Sequence, residues 1–162
     1  MAEITTLEEK LAEVTGLARA AKEATEKVEG LVDGDGDTVA ETLQRMRDEA
    51  EETDRRCSEL IDHREGKKTA ILDKARETKR EAAEMMAIYL GEDSDGLDGF
   101  EFLTMAEAGE VGHWAVLGKL NERAGEKEIG ALVEWALPIQ ERHLSEVKEC
   151  SLQLATEEDP NS

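Results

Sequence analysis

The sequence predicts an all-α fold, an antiparallel bundle of four to five long helices, from three observations. Charged residues make up 37% of the chain and aromatic residues 3%, with only two prolines, a balance that suits long helices and leaves a β-sandwich short of core material. Apolar residues recur at spacings of three and four, the period of one helix face rather than the alternation of a strand. Clusters of Gly and Asp cut that pattern into segments of helical length. With 162 residues, the expected organisation is one domain over 1–162, large enough to bury a hydrophobic core.

The first helix is expected over about 6–29, where Thr6 and Glu9 read as a capping box. Its stripe is Ile4, Leu7, Leu11, Val14, Ala18, Ala21 and Val28. After the loop Gly30 to Asp37, Thr38 and Glu41 offer a second box for a helix over 38–64. Val39, Leu43, Met46, Ala50, Thr53, Cys57 and Leu60 share its inner side. The pattern breaks at Glu65 and Gly66, and a third helix over 68–90 aligns Ile71, Ala75, Thr78, Ala82, Met85 and Tyr89. The polar loop Gly91 to Gly99 leads to Asp98 and Glu101, which cap a fourth helix over 98–124 that stops at Gly125. The fifth spans 127–155, joined to the fourth so briefly that the two must form an antiparallel hairpin.

Composition excludes some partners. Asp and Glu number 40 against 20 Lys plus Arg, a formal net charge of -20, which removes the basic footprint that nucleic acid requires and opposes an anionic membrane surface. No apolar run approaches the ~20 residues that span a bilayer, and MAEITTLEEK has no basic stretch followed by an apolar one, so the expected location is the cytoplasm. Cys57 and Cys150 both fall on apolar faces and read as reduced, buried thiols.

The chemistry is concentrated in the last two helices. The inward stripe of helix four reads Phe100, Leu103, Glu107, Glu110, Trp114 and Leu117, with His113 at its edge. Helix five reads Ile129, Val133, Ala136, Gln140, His143, Val147, Cys150 and Leu154. Both stripes are apolar at their ends and polar at their centres. Glu110 lies about 15 residues before Gly125 and Gln140 about 15 after it, so the polar centres meet at similar height in the hairpin. A buried carboxylate without a partner costs several kcal/mol, roughly, so something must compensate it. Carboxylates and imidazoles at i, i+3 on facing helices are how bundles hold iron or manganese. Glu107, Glu110, His113, Gln140 and His143 are therefore the candidate metal ligands. The competing reading is a hydrogen-bonded Glu–His–Gln network in a metal-free bundle that serves as a structural or protein-interaction module.

At these residues the chain resembles the ferritin-like superfamily, particularly its rubrerythrin-like and stress-induced branches. Glu107 and Glu110 match the two glutamates three apart on the third bundle helix of that group. Its Glu-x-x-His on the fourth helix corresponds to Gln140-Glu141-Arg142-His143, with an amide in place of the carboxylate; Glu110-Val111-Gly112-His113 offers another such motif. The resemblance covers about Phe100 to Leu154. It implies a metal-binding bundle with a role in oxidative or general stress, acting as an oxidase or on peroxide if the metal is redox-active. The first half departs from the pattern: its stripe centres are Ala18 and Ala21, then Ala50 and Thr53, while Glu49 and Glu52 lie off that register. This leaves a mononuclear or incomplete site, a site completed by a second chain, or a relic without metal.

Other features carry less. Gly109 and Gly112 share a face with Met105 and Val116, smooth enough for close approach by a helix of the same bundle or of a second copy in a homodimer. Pro138 removes a backbone hydrogen bond inside helix five and is expected to kink it. Asp33 to Asp37 invites a calcium loop, but Thr38 and Gln44 stand where glycine and glutamate are needed, so a turn is expected. The basic run Lys67, Lys68, Lys74, Arg76, Lys79 and Arg80 reads as the solvated side of helix three, docked on acidic neighbours.

Overall fold

A computed structural model describes residues 2–32 and 37–162, with the backbone alone at Asp37. The calcium-loop question at Asp33 to Asp37 lies outside the described residues. The described residues form five helices, in order: α1 (Thr6–Glu29), α2 (Asp37–Asp62), α3 (Lys68–Tyr89), α4 (Gly96–Ala124) and α5 (Lys127–Thr156). No strand occurs among the described residues, and no helix among them is long and apolar enough to cross a membrane.

The expected helix bounds hold within two residues, but the caps shift. Thr5 and Glu8, rather than Thr6 and Glu9, make the reciprocal capping box of α1. Asp95 and Asp98 replace Asp98 and Glu101 at α4, so Gly96 to Gly99 are already helical and Gly99 packs against Val28. Thr38 lies inside α2, with its backbone oxygen accepting from the Thr42 hydroxyl at 2.9 Å. Gly125 ends α4 as expected: its φ of 68° is the left-handed region that favours glycine, and its N–H donates to the Asn121 oxygen. The Asn121 amide then brackets the turn, donating to the Glu126 oxygen at 2.9 Å and accepting from its N–H at 3.1 Å. α5 continues unbroken through Pro138.

Contacts between helices fix the topology. Arg19 meets Asp54 and Lys22 meets Glu51, so α1 and α2 are antiparallel. Arg45 with Glu146 and Glu49 with Arg142 set α2 antiparallel to α5. Glu13 beside His113 and Val28 beside Gly99 set α1 antiparallel to α4. The α4–α5 hairpin completes a ring of four helices in the order α1, α2, α5, α4. α3 lies outside that ring, parallel to α1, with Lys67 bonded to Glu8 and Lys79 to Glu23. It carries the chain from the far end of α2 back to the start of α4, one long crossover.

The outside position of α3 explains a departure from its expected stripe. Ile71, Ala75 and Thr78 are buried, because Gly16 lets α1 and α3 come very close there; a Cβ on Gly16 would stand 2.4 Å from the Ala75 oxygen. Further along, Ala82 is only half-buried, and Met85 and Tyr89 are 50% and 56% exposed. A helix packed chiefly on one neighbour cannot bury a full stripe. The basic run is mostly neutralised within the chain: Lys68 pairs with Asp62, Lys74 with Glu9 and Glu77, and Arg76 with Asp73.

Inside the ring the apolar core divides in two. One cluster gathers around Trp114, Leu11, Ile61 and Ile129, the other around Phe100, Leu43, Met46 and Val147. On every helix of the ring the stretch between the clusters is either small or polar: Ala18 on α1, Ala50 and Thr53 on α2, Glu107 and Glu110 on α4, Gln140 and His143 on α5, all buried.

Candidate functional site

The i, i+3 spacing on α4 and on α5, with the register set at Gly125, brings four of the five candidate residues to that middle layer. Glu107, Glu110, Gln140 and His143 are 1%, 3%, 2% and 2% exposed. His113 is the exception. Its side chain turns outward, with Nδ1 donating to the Gly109 oxygen at 2.8 Å and Nε2 at 3.6 Å from Glu13 on α1. The Glu110-Val111-Gly112-His113 motif thus splits between the interior and the surface.

His143 sits between two carboxylates. Its Nε2 is 3.1 Å from Glu49 Oε1, a hydrogen bond, and its Nδ1 is 3.7 Å from Glu107 Oε2, an ion-pair distance beyond hydrogen-bond reach. Glu49 was not expected here, because its position lies at the edge of the α2 stripe. The signal that marks it is reciprocal charge: Arg45 and Glu49 face Glu146 and Arg142 across antiparallel α2 and α5, so Arg142 draws Glu49 beside His143. Glu52, also off register, instead binds Arg55 and Arg56 on the α2 surface.

The charges respond to this packing. Burial pushes the Glu110 carboxyl well above its usual range, and the Glu107 carboxylate beside it pushes it further, so it holds its proton to higher pH than a free carboxyl does. Burial alone would lower the His143 imidazole, but Glu107 and then Glu49 outweigh it and the net shift is upward. Glu49 moves the other way: burial resists its ionisation, yet Arg142 and His143 hold it below the ordinary carboxylate range. Cys57, fully enclosed, has its thiol pushed up to about 12 by burial, in keeping with an inert thiol.

Several buried polar atoms in and beside this layer lack a hydrogen-bond partner among the described residues: Glu107 Oε2, Glu110 Oε1, Gln140 Oε1 and Trp114 Nε1. Three of the four are acceptors, each a group whose burial without a donor is unfavourable. Among the described residues, no three His, Cys, Asp or Glu side chains already stand close enough to enclose an ion. A cleft of about 190 Å³ approaches Glu107 and Glu110 from outside the ring, between α1, α3 and α4, walled by Ala21, Ala82, Met86 and Phe102. The chain matches no protein-family model, no curated protein and no solved structure.

Proposed function

We propose that the polar layer binds one divalent cation, Fe²⁺ or Mn²⁺, through Glu107, Glu110 and His143 with the amide oxygen of Gln140. The observation that carries this reading is the trio of buried acceptor oxygens without donors, on side chains whose oxygen and imidazole chemistry suits those ions. Glu49 fits the same reading. A metal-binding histidine commonly gives its second ring N–H to a carboxylate, as His143 Nε2 does to Glu49, which leaves Nδ1 on the Glu107 side. The one-crossover ring is also the arrangement of ferritin-like bundles, in agreement with the resemblance over Phe100 to Leu154. Ala18, Ala50 and Thr53 supply no carboxylate from α1 or the centre of α2, so the reading is one ion rather than two. A redox-active ion would supply electron exchange with dioxygen or peroxide, the basis of an oxidative-stress role.

The ligands are not gathered beforehand, so binding draws them together and displaces the Glu110 proton. Calorimetric titration of chelator-stripped protein with Mn²⁺ should therefore show one site, a heat that depends on buffer ionisation, and a raised melting temperature. Glu110→Ala and His143→Ala should each abolish the signal. A second reading is favoured by the Glu49–His143–Glu107 row, which compensates its own charge: a metal-free bundle acting as a structural or interaction module. Absence of both heat and stabilisation with Mn²⁺ and with anaerobic Fe²⁺ would select it.

A further inference from the structure

α4 has a second stripe, on the side away from the core. Asp98, Glu101, Met105, Gly109, Gly112, Val116, Lys119 and Arg123 follow one another at spacings of three and four, and all eight are exposed. At 100° per residue they occupy a face about 80° wide. Among the described residues no helix covers its centre: a Cβ on Gly109 or on Gly112 would meet nothing within 4 Å. Each glycine weakens the helix relative to alanine, without return inside the bundle. Met105 and Val116, 38% and 46% exposed, flank the pair, and Met85 of α3, 50% exposed, lines the same cleft as Met105.

We propose that two copies of the chain pair through this face, α4 against α4, antiparallel. The stripe mirrors itself about its midpoint between Glu110 and Val111, which is also the middle of the helix. Inverting it sets Gly109 against Gly112 of the second copy and Met105 against Val116. The same register sets Asp98 against Arg123 and Glu101 beside Lys119, each pair formed twice. Acid first and base last also suits the helix dipole, but an exposed Met, two glycines and a Val between them do not follow from that preference. Charge decides the partner. A chain of net charge -20 repels its own copy over most of its surface, and this face joins an uncharged centre to ends of opposite sign. Two copies meeting there form a closed, isologous contact.

Sedimentation tests the pairing. The wild-type chain should run as a dimer of the 17.9 kDa protomer. Glu101→Lys and Lys119→Glu should each weaken the dimer at least tenfold, while the double swap should restore it. All three keep the helix, checked by circular dichroism, because the positions are exposed. Register is read with a short bismaleimide, to which the buried Cys57 and Cys150 are silent. Copies carrying Met105→Cys should cross-link to copies carrying Val116→Cys, and not to each other, since their own thiols would lie about 16 Å apart along the axis. A monomer at all concentrations, single reversals without effect, or cross-links within the Met105→Cys population would each overturn the proposal.

Discussion

Glu110 holds its proton in the folded protein at pH values where the unfolded chain has released it, and this gives the polar layer a definite pH signature. A group whose folded pKa is raised contributes stability that is complete below its unfolded value, near 4.5, and that drains away as the pH climbs toward the folded value. His143 acts in the same direction from about 6.5 upward, whereas Glu49, shifted downward, contributes above 4.5 and is lost in acid. Metal-free protein should therefore be most stable in mild acid and weaken toward pH 8. Glu110→Gln keeps the shape without titrating, so it should flatten the alkaline decline and gain roughly 1–3 kcal/mol at pH 8, the scale of relieving a buried unpaired polar group. Urea unfolding of both proteins at pH 5 and pH 8 checks this, and parallel pH profiles would contradict it. Glu107, Glu110, Gln140 and His143 were legible because each interrupts an otherwise apolar stripe. Glu49 and His113 sit at stripe edges, where a turn of a few tens of degrees decides between core and surface, and periodicity does not resolve that.

Gly16 governs how α3 joins the rest. Its missing side chain lets the backbone of Ala75 and the Cβ of Thr78 seat directly on α1, where Ala75 and Thr78 are buried. Alanine there would favour the helix by about 1 kcal/mol in isolation. In place, its Cβ would collide with a backbone oxygen, an overpacking that costs about 1–3 kcal/mol and pushes α3 outward. Gly16→Ala should lower the melting temperature and speed amide exchange in α3 before the ring; an unchanged or raised melting temperature would show that α3 shifts without penalty. The helices were legible as elements because their stripes are long. The caps were less so, since Thr5 and Thr6 are both threonines with a glutamate three residues on, and only the hydrogen-bond geometry picks Thr5. The crossover role of α3 left its trace in the exposed Met85 and Tyr89, the end of a stripe drawn by spacing that one neighbouring helix cannot cover.

Across the whole molecule, attraction between charges is local and weak while repulsion is collective. The pairs that stitch the helices together, Arg19 with Asp54, Lys22 with Glu51, Lys79 with Glu23 and Arg64 with Glu126, keep substantial exposure, and pairs of that kind contribute about 0–1 kcal/mol each. Against them stands a net charge of -20, whose mutual repulsion acts over the Debye length, about 10 Å at 0.1 M salt and about 3 Å at 1 M. Screening therefore removes more destabilisation than stabilisation, and the melting temperature should rise as KCl is increased toward 1 M. Chloride salts are the right probe, because sulfate would strengthen apolar burial as well and blur the cause. Screening also eases the approach of two like-charged chains, so the series has to be run at a fixed protein concentration and repeated with Glu101→Lys. A rise retained in that variant belongs to the folded chain itself, and a melting temperature that falls with KCl would mean that the ion pairs between helices outweigh the net charge.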